Sequence, residues 1–258
     1  MVNPQWQGWG ASAAVSAGTH GLAQFLDREP DHLVAVPDFH SLHETDGVLG
    51  LSELVEQSRD VVETLQRHRA ERLLYLAGDC GAELAPIAWF NASHADLSVV
   101  WIDAHADLNT PDTSPSATFH GMVLRTLLGE GPLQLLNLIE RPLTPGQVTL
   151  VGVRALDQAE HDYIHQHDVT CRSPSEVQVT GPVYIHIDLD CLDPTRFGHT
   201  PFREADGLHP DDLTALLRRL RCDSAVDVLG IGVTESMATD DELLPIGELL
   251  GEISAFLD

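Results

Sequence analysis

The segment Ser98-Val99-Val100-Trp101-Ile102 is apolar and carries β-branched residues, and it runs directly into Asp103-Ala104-His105-Ala106-Asp107. Alternate side chains of an extended segment share a face, so Asp103, His105 and Asp107 converge where a buried strand ends. Val183-Tyr184-Ile185-His186-Ile187 repeats the design and ends in Asp188-Leu189-Asp190. Each carboxylate taken out of water unpaired carries a penalty of several kcal/mol. The chain is therefore confined to folds that set two strand tips side by side around something cationic. Acids with one imidazole suit hard or borderline divalent ions such as manganese and disfavour soft metals. Four aspartates and a histidine exceed what one hydrated ion needs, and two ions about 3.5–4 Å apart with shared carboxylates fit them better. Any one of these aspartates alone reads equally as a helix N-cap or turn residue; the grouping carries the metal reading.

Around the two tips the pattern alternates between strands and helices. Residues 1 to 30 read as a turn-rich entry with a short helix near Leu22 to Leu26, and Leu33-Val34-Ala35-Val36 predicts a strand ended by Pro37. Leu54, Val55, Val61, Val62 and Leu65 fall at helical spacing. Leu73 to Leu76 is a buried strand that empties into Gly78-Asp79-Cys80-Gly81. Met122 to Leu128 predicts a helix, Val148 to Val151 a strand and Ala155 to His167 a polar-faced helix. Pro210 suits a first helical turn, with Leu213, Leu216, Leu217 and Leu220 on one apolar face. Val226 to Val233 is a strand ending at Thr234-Glu235-Ser236, and Ile246, Leu249, Leu250, Ile253 and Leu257 predict a closing helix. Strands this continuously apolar mark a parallel sheet covered on both faces. With no repeat or linker, residues 1–258 are expected to form a single domain. Ligands gather at the carboxyl ends of such strands, and Cys80, Asp103, Asp188 and Glu235 all follow strands directly. His186 shares a strand face with Asp188 and reads as a packed histidine, with a hydrogen bond to a ligand as the alternative.

Composition excludes partners more than it selects them. A formal charge of −26, from 14 basic against 40 acidic residues, argues against nucleic acid and anionic membranes, which need a basic patch. All the basic residues are arginine, which rules out Schiff-base and phosphate-loop lysines. No apolar run approaches the roughly 20 residues of a membrane helix, and Met1-Val2-Asn3-Pro4-Gln5-Trp6 does not read as a signal peptide. Cys80, Cys171, Cys191 and Cys222 lack disulfide or zinc-ribbon spacing, so a reduced, cytoplasmic protein is expected.

Gly78-Asp79-Cys80, Asp103-Ala104-His105-Ala106-Asp107, His120-Gly121-Met122, Asp188-Leu189-Asp190-Cys191-Leu192-Asp193-Pro194 and Thr234-Glu235-Ser236 resemble, in order, the motifs of the arginase–agmatinase (ureohydrolase) family. The resemblance runs from about residue 73 to the C-terminus. It implies a three-layer α/β/α sandwich around a parallel sheet of about eight strands, two manganese ions, and homo-oligomers as the usual assembly. One ion would be held by Cys80, Asp103, Asp107 and Asp188, the other by Asp103, His105, Asp188 and Asp190. The family carries His where this chain has Cys80, a softer ligand than manganese prefers. Asn109-Thr110-Pro111 and Ser116 look like the arginase elements that hold an α-carboxylate, with Asp157 receiving the α-ammonium and Glu160 nearby. Glu235 would bond the guanidinium and Thr200 would line its pocket. Asp107 would pass a proton to the departing amine, and His120 would shuttle protons to solvent. A Cys ligand beside an intact Asn109 loop is similar to the branch that hydrolyses Nω-hydroxy-L-arginine in D-cycloserine biosynthesis. The expected substrate is therefore Nω-hydroxy-L-arginine, giving L-ornithine and hydroxyurea. L-arginine is the alternative, with formiminoglutamate or a non-catalytic metal-binding relative behind it.

Overall fold

The computed structural model describes residues 1–257. Its strands in chain order are β1 (Val2–Asn3), β2 (Glu44–Thr45), β3 (Val48–Leu49), β4 (Leu73–Ala77), β5 (Ser98–Ile102), β6 (Val148–Val151), β7 (Thr170–Arg172), β8 (Gly181–Asp188) and β9 (Val226–Thr234). β2 and β3 form a small hairpin, and the other strands make one parallel seven-stranded sheet in the order β1-β4-β9-β8-β5-β6-β7. The helices are α1 (Ala14–Phe25), α2 (Leu51–His68), α3 (Leu84–Ser93), α4 (Val123–Leu127), α5 (Leu133–Leu136), α6 (Gln158–Gln166), α7 (Pro210–Cys222) and α8 (Gly247–Ser254).

Period-two alternation divides the strand side chains between two cores. Tyr75, Val99, Trp101, Leu150 and Tyr184 pack with α2, α3 and α4 on one face. Leu76, Val100, Ile102, Ile185 and Val233 pack with α1, α7 and α8 on the other. A sheet buried on both sides explains why its strands are apolar throughout.

The sheet has one strand fewer than the eight the resemblance implies. Leu33–Val36 does not form the expected strand: it makes a single bridge, Leu33 to Val2. β1 beside it ends after Asn3 because Pro4 cannot donate to a ladder, and Leu33 is left exposed. Other boundaries also move. α1 starts at Ala14 rather than near Leu22. Phe119–Met122 forms a tight 3-10 turn before α4, and Asp240–Ile246 another before α8. α6 starts at Gln158, not Ala155, because the Arg154 and Ala155 amides both donate to the Ala104 carbonyl and Asp157 caps the helix instead.

One close approach fixes the layer beneath the strand tips. Gly232 on β9 lies in register between Tyr75 on β4 and His186 on β8, and the Glu83 carboxylate fills the space where a side chain would be. A Cβ at Gly232 would sit 1.6 Å from Glu83 Oε1. Gly232→Ala is therefore expected to destabilise the fold by about 1–3 kcal/mol, the usual range for overpacking. Thermal unfolding checks this, and an unchanged Tm would show that Glu83 moves aside freely.

Candidate functional site

The carboxyl ends of β4, β5, β8 and β9 lie side by side at the middle of the sheet. Trp101 is in register with His186, and Ile102 with Ile187, so Asp103 and Asp188 emerge as neighbours. Asp103, Asp107, Asp188, Asp190 and Glu235 are all buried, at most 3% exposed. Two of them sit on left-handed backbone, Asp107 at φ 52° and Glu235 at φ 61°, conformations that cost about 1–3 kcal/mol in a non-glycine residue and cluster at functional sites.

Backbone amides set the positions of the acids. The Asp190 amide donates to Asp188 Oδ1 at 2.7 Å, the His105 amide to Asp103 Oδ1 at 2.7 Å and the Ala104 amide to Asp190 Oδ1 at 3.2 Å. His105 Nδ1 lies 3.1 Å from Asp190 Oδ2 and 3.5 Å from Asp103 Oδ1. The Cys80 thiol donates to Asp188 Oδ2 at 3.0 Å, and the Cys80 amide to Glu235 Oε1 at 3.3 Å.

Crowded acids hold one another's protons. Burial first, then the neighbouring charges of Asp190, Asp103 and Glu235, push Asp188 well above the carboxylate range. Burial and Asp103 do the same for Asp107. Burial, with Asp190 and Asp103 adding to it, raises Glu235 to about 8. Burial also keeps Cys80 a thiol, reinforced by Asp188 and Asp107. Burial alone would lower His105, but hydrogen bonds to Asp103 and Asp190 override it and push the imidazole up to about 12. His120 moves the other way, lowered by burial. Asp107 Oδ2 and Glu235 Oε2 are buried with no hydrogen-bond partner among the described residues. Such a cluster fits divalent cations, which neutralise the acids and satisfy the spare oxygens.

Three sets of side chains bring potential ligand atoms within 4.8 Å of one another: Asp103, His105 and Asp190; Cys80, Asp188 and Glu235; and Cys80, Asp103, Asp107 and His186. Each of the six expected ligands falls in at least one of these sets, but neither expected four-residue set is complete in any of them. The sets add Glu235 and His186 and do not place Asp188 with Asp103. From the sequence His186 reads as a packed histidine or as a hydrogen-bond partner of a ligand; the structure sets it among the potential ligand atoms themselves. The alternation that flagged Asp103, His105 and Asp107 applies equally to His186, Asp188 and Asp190, and would have found it.

A cavity of about 390 Å³ opens beside the cluster and is lined by His105, Asp107 and His120. Asn109, Ser116, Asp157 and Glu160 lie around the same space. Asn109 Nδ2 donates to Asp157 Oδ2 at 2.9 Å, tying the loop after β5 to the start of α6. Asp157 thus caps α6 and faces the cavity at once. Glu160 accepts from the Leu108 and Asp157 amides with its two oxygens, which makes it a brace for that loop. Thr200 is buried and its hydroxyl donates to the Phe202 carbonyl; Phe202, not Thr200, lines the cavity, stacked on His120 with ring centroids 5.3 Å apart. Asp79, adjacent to Cys80, points away to accept from the Gln5 side chain and the Gly8 and Gly81 amides, each at 2.9 Å. No motif near Gln5 or Gly8 signals that the N-terminal segment is pinned there.

No helix among the described residues is long and apolar enough to cross a membrane. A Staphylococcus aureus (strain MSSA476) arginase is 30% identical over 198 residues, covering 68% of this chain and 64% of the relative, so the match spans somewhat less than two thirds of that protein. The fold is similar to that of Entamoeba histolytica arginase in complex with L-ornithine, with a TM-score of 0.83 at 21% identity over 99% of this chain and 96% of that one. It is also similar to formimidoylglutamase from Bacillus subtilis, with a TM-score of 0.72 at 17% identity over 99% and 85% of the two chains. The model of the arginase family matches residues 13–242, and the chain belongs to that family.

Proposed function

We propose that this protein hydrolyses the guanidino group of an arginine-type amino acid, using two manganese ions held at the strand tips. The observation that carries this reading is the burial of Asp103, Asp107, Asp188, Asp190 and Cys80 around a half-buried His105, beside a cavity with amino-acid-sized volume. Cys80, Asp103, Asp107 and Asp188 would hold one ion, and Asp103, His105, Asp188 and Asp190 the other. When bound, such ions make a nucleophile of water at neutral pH and offset the charge that develops at the attacked carbon.

The chain's own residues do the rest. Asn109 and Ser116 hold the substrate's α-carboxylate, and Asp157 receives its α-ammonium across the cavity. Glu235, lifted to about 8 in the free protein by burial, ionises against the cationic guanidinium and fixes it by hydrogen bonding. Asp107, with a spare oxygen, carries a proton to the departing amine. His120, lowered by burial, is a neutral imidazole at pH 7 and passes protons between the cavity and solvent.

Within this class the favoured substrate is Nω-hydroxy-L-arginine, yielding L-ornithine and hydroxyurea. Support comes from Cys80 standing where the family motif has His, together with the Asn109 loop: a hydroxylated guanidine is less basic and tolerates a weaker metal site. L-arginine is the second reading, favoured by the similarity to arginases, one of them solved with L-ornithine. The Asn109 loop disfavours formiminoglutamate. Steady-state assays of both guanidino substrates with manganese decide between them. Higher kcat/KM on hydroxyarginine is expected; a far higher value on arginine transfers the assignment to arginine, and binding without release of urea or hydroxyurea refutes catalysis.

A further inference from the structure

We propose that His186 is itself a metal ligand through Nε2, held in that role by Glu83, and that it supplies the imidazole which the loop after β4 lacks because Cys80 stands there. The inference rests on the metal reading above and goes beyond its ligand set. His186 Nε2 lies 3.7 Å from Cys80 Sγ and 3.8 Å from Asp103 Oδ2. Of these separations, the one to Asp103 is too long for a good hydrogen bond, and the one to Cys80 is a weak sulfur hydrogen bond. Both are close to the edges of a tetrahedron about one ion, which come to about 3.4–3.6 Å for metal–nitrogen and metal–sulfur bonds of zinc-like length.

The other nitrogen points to the same conclusion. His186 Nδ1 and Glu83 Oε1 are both buried without a hydrogen-bond partner, and they face each other at 3.8 Å. A buried histidine with only a packing role usually closes at least one nitrogen onto an oxygen acceptor. This one closes neither at hydrogen-bond length to oxygen, although acids lie on both sides. A carboxylate behind the non-ligating nitrogen is the usual support of a metal-bound imidazole, fixing its tautomer and orientation.

The surroundings allow the ring little freedom. It stacks on Trp101 with centroids 3.7 Å apart, and Trp101 Nε1 donates to Asp103 Oδ2 at 3.2 Å. Glu83 is anchored from its other oxygen by the Tyr184 hydroxyl at 2.7 Å, and it can occupy its place only because Gly232 has no side chain. A fully buried acid, an aromatic hydroxyl and a glycine are thus committed to the underside of one imidazole. The resulting donor set of sulfur, imidazole and the Asp103 and Asp107 carboxylates is softer than an all-carboxylate site and suits a borderline ion.

Equilibrium dialysis against manganese, read by elemental analysis, tests this without using activity. Wild-type protein, His186→Gln and Glu83→Gln are compared. The expected result is that His186→Gln loses one bound ion, or holds it more than about tenfold more weakly, while Glu83→Gln weakens the same ion by about 10–100-fold, the range for an orienting partner. Wild-type affinity for every ion in His186→Gln overturns the proposal. If His186→Gln does not fold, Glu83→Gln decides alone, and unchanged affinity there overturns it. A wild-type protein that binds no metal instead refutes the underlying metal reading.

Discussion

An Asp188→Asn variant is expected to lose guanidino hydrolysis by at least about a thousandfold, more than the 10–100-fold attached to partners that only orient a ligand. Asp188 accepts from the Asp190 amide and the Cys80 thiol, and in the proposed centre it would help to hold both ions. An amide keeps the shape but cannot carry the charge that binds them. The same change should stabilise the metal-free protein, because burial and the charges of Asp190, Asp103 and Glu235 oppose ionisation at this position. Replacing it removes a penalty of order 1–3 kcal/mol. At about 2–4 °C per kcal/mol for a chain of this size, Tm in chelator should rise by several degrees. Loss of activity with a lowered metal-free Tm would make Asp188 a structural residue, and near wild-type turnover would remove it from the centre.

The second large effect is a pH dependence whose sign metal reverses. Burial, with help from Glu235, raises Asp79 to about 7, and burial with Asp190 raises Glu235 to about 8. Both lie above ordinary carboxylate values, so between pH 4 and 8 the folded chain binds more protons than the unfolded one. Stability then falls as pH rises through that window. The raised imidazole of His105, at about 12 because its bonds to Asp103 and Asp190 outweigh burial, acts in the same direction: its contribution is complete below the unfolded value and is lost as pH rises toward 12. Asp103, held low because hydrogen bonding to His105 and His186 outweighs burial, contributes stability that is lost only as pH falls below the ordinary carboxylate value. Metal-free protein should therefore unfold at a Tm roughly 10 °C lower at pH 8 than at pH 5. Manganese binds deprotonated ligands and gains affinity as pH rises, so the loaded protein should show a flat or rising Tm over the same range. Thermal unfolding in chelator and in excess manganese checks this; equal slopes in the two would contradict it.

Much of this was legible in the sequence because the physics is local. The apolar runs ending in Asp103 and Asp188 pointed to the parallel sheet and to a cluster of acids at its strand tips, since period-two alternation and the cost of grouped acids act over a few residues. Elements set by neighbours were not legible. β1 and β7 are too short to carry a pattern, and Leu33–Val36 fails as a strand because Pro4 cuts short the strand it would pair with. The burial of Glu83 depends on an absent side chain at Gly232, far along the chain, and nothing near Glu83 announces it. His186 was legible in principle. Its neighbours Tyr184 and Ile187 made it look like core, and only the stacking on Trp101 and the approach to Asp103 and Cys80 show what it faces.

The central claim is that the tips of β5 and β8 cage a pair of cations. Anomalous diffraction at the manganese edge, from crystals grown in excess manganese, tests it most directly. Two peaks about 3.5–4 Å apart are expected, lying between Asp103 and Asp188 with His105 and Cys80 on opposite sides. Ordered water alone in that space, with the carboxylates turned apart, would contradict the account.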